Sequence, residues 1–479
     1  MIKAESYVFS AFCGRKIKRG LSVLILFIFM LVVMYPPGEV NAISLSEEKE
    51  LGQKVVGLIR KAMPLVEDGE VLTYVRNVGN RVAKEVGITT YQFQFFVVDQ
   101  PIPNAFAVPG GNIFIYRGLI EMMSSEAELA SILSHELAHI QARHLQRSID
   151  EAKILSVGMI AGLVAGVLLG APGLVAGGMA ASQTQALQYS RAHEMEADQF
   201  GFRFLCAAGY DPAAMPCIMG KLQQTTSLTN SSIPNYLSTH PALGERVQYL
   251  TEMVKKQKSS SKKAVEPMTG DFEVMQATLI ADYTDQAKAF DRFQAGVKKG
   301  DKVAVFGLGR LYLRQNNWSE AVEQLRQAAR LMPYSPFVLS TLGDAYYRAG
   351  KLQESQSTLE SALMLDPSSS IAHYRLALVL MDMGKRDEAL DHLMQIEELA
   401  PMFPEVDYQL GVVLGQNNQL GLAHYHLARY YIHKQNKELA IMHLKKAQSL
   451  IKDSPSKIEE INLALKELEG KKKGFFSIN

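Results

Sequence analysis

Residues 124–140 read SSEAELASILSHELAHI. Ser125 and Glu128 have the three-residue spacing of a helix-opening capping box. Leu129, Ile132, Leu133, Leu137 and Ile140 then recur at helical spacing and mark a buried stripe. On that helix His135 and His139 are four residues apart and project from one face, so both imidazoles can hold a single zinc ion. Glu136 lies about 100° around the helix. It can border the metal without ligating it, take a proton from an activated water and pass it to a leaving amine.

A catalytic zinc keeps three protein ligands and one open position. The next helical pattern, Glu194-Met195-Glu196-Ala197-Asp198, supplies the third ligand. Ala192, Met195, Phe200 and Phe204 are its expected inward residues. Glu194 and Asp198 share a face, so Glu194 can ligate while Asp198 hydrogen-bonds a zinc-binding histidine from behind. Glu196 points to the other side, and His193 is a competing ligand. His144 falls about half a turn from His135 and is expected to face elsewhere.

The C-terminal half repeats. Pro333, Pro367 and Pro401 are 34 residues apart, as are Gly309, Gly343, Ala377 and Gly411. Ala321, Ser355, Ala389 and Ala423 share that register, as do Leu325, Leu359, Leu393 and Leu427. Thirty-four residues is the tetratricopeptide period. Small residues let paired helices approach, leucines fill the seam, and proline stops the second helix. The register shortens by about half a repeat at Ala428, Tyr431, Ala440, Leu444 and Ala447, so one helix is expected to serve two hairpins. Residues 270–299 read as an opening hairpin and 455–470 as a capping helix. Such a stack presents a concave groove to peptides or proteins, with Arg310, Arg314, Asp344, Tyr347 and Arg348 as candidate lining residues.

The start of the chain reads as an export signal. Arg15, Lys16, Lys18 and Arg19 precede an apolar run from Leu21 to Tyr35, and Val40-Asn41-Ala42 offers a cleavage site. The expected organisation is signal peptide 1–42, protease domain 43–255, linker 256–268, repeat domain 269–470 and tail 471–479. Lys plus Arg total 50 against Asp plus Glu 49, a balance that excludes a polybasic nucleic-acid binder. Three cysteines exclude a disulfide-dense scaffold. Cys206 and Cys217 flank a turn; they read either as an opposed pair able to form a disulfide or as two small buried hydrophobes.

Residues 154–181 carry no charge. Two membrane crossings need about 40 apolar residues, so the stretch reads as a lid that can touch membrane or unfolded substrate. Phe106–Val108 and Asn112–Tyr116 flank Pro109-Gly110-Gly111 and read as strand, turn, strand. The pair reads as an ordinary core hairpin or, as a resemblance to zinc proteases would imply, as an edge beside the zinc in which Asn112, Ile113, Phe114 and Ile115 bind a peptide by strand addition.

Ser134 to His139, followed by Ser190-Arg191-Ala192-His193-Glu194-Met195-Glu196-Ala197-Asp198, resembles the peptidase family of the heat-shock membrane protease and the CAAX prenyl protease. Asn104 to Gly111 matches that family's lead-in. The resemblance implies an α+β, mainly α, zincin-like metalloprotease domain, here followed by an α-solenoid. It implies one Zn2+ per chain held by His135, His139 and Glu194, with Glu136 as the base. It also implies that Thr239-His240-Pro241 supplies a histidine able to cap the zinc at rest, and that Arg246 can stabilise an oxyanion. With the domain order, it implies a periplasmic endopeptidase acting on unfolded or stalled outer-membrane proteins, its repeats docking substrate or the outer-membrane barrel assembly machinery, with peripheral membrane contact. The alternatives are a chaperone-like adaptor with a latent zinc site and a membrane-embedded protease of the heat-shock type.

Overall fold

The computed structural model describes residues 45–87, 91–151, 189–228, 236, 240–258, 271–399 and 404–470. The expected signal peptide 1–42, the apolar stretch 154–181 and most of the linker 256–268 lie outside these residues.

The N-terminal part begins with α1 (Leu45–Ala62) and α2 (Gly69–Ala83), followed by a single 3-10 turn at Lys84–Val86. Asp68 caps α2, its side chain accepting from the Val71 amide. Three strands follow, β1 (Gln94–Val98), β2 (Ala105–Val108) and β3 (Asn112–Tyr116). Next come α3 (Arg117–Met122), α4 (Glu126–Gln141), α5 (His144–Glu151), α6 (Arg191–Ala207), α7 (Ala214–Leu228) and α8 (Leu243–Lys258).

Gly110 and Gly111 both adopt positive φ, +79° and +83°, and turn β2 back onto β3. The sheet order is β1-β3-β2, with β1 parallel and β2 antiparallel to β3. This corrects the expected edge. Asn112, Ile113, Phe114 and Ile115 lie in the central strand and are buried, with partners on both sides, so they cannot accept an incoming strand. The parallel pairing with β1 joins segments distant in sequence, which hairpin reasoning does not reveal. The edge beside α4 is β2.

Helix α4 is buried on every side, from Leu129 and Ile132 to Ser134 and Leu137. Ser125 caps it by accepting from the Glu128 amide, while the Glu128 carboxylate accepts from the Ser124 amide 2.9 Å away. Helix α6 crosses α4 closely. A Cβ on Gly201 would stand 3.1 Å from the His135 nitrogen and the Ser134 carbonyl oxygen, so only glycine sits there without strain. The buried face of α6 carries Glu194, Ala197, Asp198, Gly201 and Leu205. Met195, expected inward, is 49% exposed, because this polar face takes the place of a purely apolar stripe. Cys206 and Cys217 are separate thiols, Cys217 on the surface.

The solenoid comprises α9 (Phe272–Tyr283), α10 (Gln286–Lys298), α11 (Lys302–Arg314), α12 (Trp318–Leu331), α13 (Pro336–Arg348), α14 (Leu352–Leu365), α15 (Ser370–Asp382), α16 (Arg386–Leu399), α17 (Pro404–Gln416), α18 (Leu420–His433), α19 (Lys437–Leu450) and α20 (Pro455–Gly470). The repeat columns have a direct physical cause. A Cβ on Gly309, Gly343 or Gly411 would come within 2.5–2.6 Å of Leu325, Leu359 or Leu427 respectively. Ser355 Oγ closes another seam by donating to the Gly343 carbonyl at 2.7 Å. Helix α18 packs on both α17 and α19, so it serves two hairpins as the shortened register requires. No described helix is long and apolar enough to cross a membrane.

The two parts share one apolar core, which runs from Val66 to Ala345. At its rim, Arg310 is buried among carboxylates. It pairs with Asp68, with Asp282 at 2.6 Å and with Glu70 at 3.3 Å. Arg375 joins at 2.6 Å from Glu70. Arg310 is therefore no free groove residue; the solenoid turns this face onto the start of α2. Arg314 donates to the carbonyls of Ala281 and Thr284 at the end of α9. Asp344 and Arg348 pair with each other. Tyr347 donates to Asp382.

Arg310→Ala strands two carboxylates, Asp68 and Asp282, while Glu70 keeps Arg375. It should lower stability by about 3–5 kcal/mol at neutral pH, measured by urea denaturation through the fluorescence of Trp318, the one tryptophan. Burial already raises Glu70 and Asp282. The deficit should therefore shrink as pH falls and these groups take up protons.

Candidate metal centre

Four side chains from three segments converge. Helix α4 places His135 Nε2 and His139 Nε2 3.0 Å apart. The first turn of α6 brings Glu194, with Oε1 3.4 Å from His139 Nε2 and Oε2 3.6 Å from His135 Nε2. Ahead of α8, His240 sets Nδ1 3.0 Å from Glu194 Oε1 and 3.4 Å from His135 Nε2. All four residues are buried, and one ligand atom from each lies within 4.8 Å of the others. Three imidazole nitrogens and a carboxylate oxygen aimed at one point leave more lone pairs than protons. The set suits a divalent cation with nitrogen and oxygen ligands.

Asp198 orients His135 from behind, its Oδ1 2.9 Å from His135 Nδ1. A proton on Nδ1 leaves the Nε2 lone pair facing the cluster. Arg246 donates to Asp198 from Nε at 2.8 Å and from Nη2 at 2.7 Å, and it also pairs with Glu194. Tyr249, three residues on, donates to Asp198 as well. Burial alone would raise both acids, but Arg246 holds Asp198 and Glu194 below the usual carboxylate range. Arg246, an expected oxyanion stabiliser, is here spanned between two carboxylates and is only 2% exposed.

Glu136 differs from these acids. Both its oxygens are buried and have no hydrogen-bond partner among the described residues. His240 faces it, with Nε2 3.7 Å from Oε1. Burial pushes the Glu136 carboxyl up. Leaving a buried carboxylate unpaired costs stability.

His144 does not face elsewhere. Helix α4 ends at Gln141, Arg143 takes a positive φ of 53°, and α5 restarts at His144. The ring is thereby swung back, with Nδ1 2.9 Å from His139 Nδ1 and Nε2 3.0 Å from Glu196 Oε2. Burial pulls His144 down to about 4. It therefore stays neutral and orients His139. His193 stacks on His144 with centroids 4.5 Å apart, beside the cluster and outside its ligand set. Tyr189 stacks on His139 at 4.0 Å and Tyr236 on His240 at 4.5 Å. Neither tyrosine sits within a motif, so spacing gave no sign of them. A recess lined by Ala107, Val108, Pro109, His139, Ile140 and Tyr189 opens between the β2 edge and the cluster.

Comparison with known proteins agrees with this layout. Residues 71–254 match peptidase family M48, and residues 282–336, 346–410 and 422–454 match tetratricopeptide repeats. A Vibrio cholerae protein named as a β-barrel assembly-enhancing protease is 30% identical over 316 residues, 64% of this chain and 64% of its own. The chain thus spans about two thirds of that relative's length. The Escherichia coli β-barrel assembly-enhancing protease is 24% identical over 364 residues, 74% of each chain. A mitochondrial metalloendopeptidase of Arabidopsis thaliana is 34% identical over 160 residues, 33% of this chain and 31% of its own.

Asp198→Ala should weaken binding of zinc, used as the probe ion, about 10–100-fold in competition with a chelator. An unchanged affinity would remove Asp198 from the centre.

Proposed function

We propose that the chain, whose residues 71–254 match peptidase family M48 with tetratricopeptide repeats following, is a zinc-dependent endopeptidase. The convergence of His135, His139, Glu194 and His240 beside the unpartnered Glu136 carboxylate carries this reading. His135, His139 and Glu194 would hold the ion, and His240 would fill the fourth position at rest. When bound, zinc supplies Lewis acidity toward water and a peptide carbonyl.

The chain's own residues supply the rest. Glu136 accepts the proton of the attacking water and returns it to the leaving amine; its raised proton affinity suits both halves. Asp198 and His144 hold the rings of His135 and His139 from behind. An extended peptide would add at the outer side of β2, which has no strand partner among the described residues, with the recess beside it taking a side chain. His240 stands between Glu136 and Glu194, so its segment must move before a substrate carbonyl can enter. Arg246 would act on the carbonyl oxygen only by releasing Glu194 while keeping Asp198.

The names of the relatives support a substrate class. Two of them are named for β-barrel assembly, and the repeats are a surface for proteins. We take unfolded or stalled outer-membrane proteins as substrates, the barrel assembly machinery as the docking partner and the periplasm as the location, in accord with the export signal read in residues 1–42.

With an unfolded outer-membrane barrel protein as substrate, Glu136→Gln should lower the cleavage rate by about 10²–10⁴-fold while zinc content stays at one per chain. Equal cleavage by parent and variant, or none by either, would favour the adaptor reading. His240→Ala should raise cleavage by the parent severalfold; a lower rate would make His240 a participant and not a cap.

A further inference from the structure

Away from the peptidase centre, histidines of the solenoid are paired at a fixed offset. His373 on α15 and His392 on α16 are 19 residues apart, and their Nδ1 atoms are separated by 2.8 Å. His424 on α18 and His443 on α19 repeat both the offset and the 2.8 Å separation. The intervening hairpin has Asp407 and His426 at the same offset, 2.9 Å apart. The offset is set by the hairpin: it puts one residue of each helix at the same level across the seam. Around Asp407, His426 and Glu397 the charge is already supplied by Arg429, which pairs with both carboxylates.

The first pair is built differently. His373 Nε2 lies 3.0 Å from the Pro367 carbonyl oxygen, and that oxygen only accepts. His373 therefore carries its proton on Nε2 and turns the Nδ1 lone pair toward His392. A hydrogen bond from the far ring nitrogen to a backbone carbonyl is the support that metal-bound histidines carry. Two nitrogens about 2.8 Å apart span the cis edge of a square-planar site whose metal–nitrogen bonds are about 2.0 Å. His373 is 5% exposed while His392 is half-buried, so one side of the pair stays open to water. Glu388 lies one helical turn before His392, and Glu360 and Asp391 also act on His392 with favourable sign for a cation. At the second pair the acting charge is Lys446, which repels one.

We propose that His373 and His392 form a second metal site, a two-nitrogen chelate for a divalent ion of the copper(II) or nickel(II) type, independent of the peptidase centre. For His392 to ligate through Nδ1, its proton sits on the other ring nitrogen. His424 and His443 repeat the geometry without the acidic surround and bind more weakly.

The test is a copper(II) titration of the full chain with zinc in the peptidase centre, followed by calorimetry and by electron paramagnetic resonance. A dye reports any zinc displaced, so copper entering the peptidase centre is counted apart. The expected result is one further equivalent with the hyperfine pattern of two imidazole nitrogens. His392→Gln should abolish that equivalent and its pattern, and His443→Gln should leave both. Circular dichroism establishes that each variant is folded, and His392→Asn serves if His392→Gln is not. Copper uptake unchanged by loss of His392, equal loss in His443→Gln, or absence of the two-nitrogen pattern in the parent would overturn the proposal.

Discussion

The candidate centre depends on one backbone approach, the crossing of α6 over α4 at Gly201. A Cβ there would press on the backbone of Ser134 and His135. Without that approach Glu194 and Asp198 could not reach the imidazoles of α4. The crossing carries a penalty, since it buries two carboxylates, and Arg246 from α8 offsets it by pairing with both. Charge compensation and ligand orientation are thus one network: Arg246 holds Asp198, and Asp198 holds the His135 ring. The one acid this network leaves alone is Glu136, the position where the proposed chemistry needs a free base.

The repeats are joined to this core and do not hang from it. A continuous apolar core and the Arg310 and Arg375 pairs with Glu70 seat the concave side of the first repeats on α2. A partner that binds in this part of the groove would have to compete with the chain's own carboxylates.

Much of this was legible in the sequence because it is local. His135, Glu136 and His139 share one turn of helix, Glu194 and Asp198 another, and the 34-residue columns report steric contacts such as Gly343 against Leu359. What stayed hidden is non-local or depends on a single backbone angle. The positive φ of Arg143 restarts the helix and brings His144 behind His139, against the expectation of a continuous wheel. The parallel partner of β3 makes it central and moves the edge to β2. Docking of the solenoid turned Arg310 from a groove residue into a buried ion pair. The pairing of His373 with His392 needed the hairpin level as well as the repeat register.

In the proposed resting state His135, His139, Glu194 and His240 surround one ion, with His240 closing the site. Crystals of the zinc-loaded chain, measured on both sides of the zinc absorption edge, test it directly. One anomalous peak is expected in the peptidase domain, within about 2.0–2.2 Å of one nitrogen from each of the three histidines and one Glu194 oxygen. A peak elsewhere, or a peak ligated without His240, would contradict it.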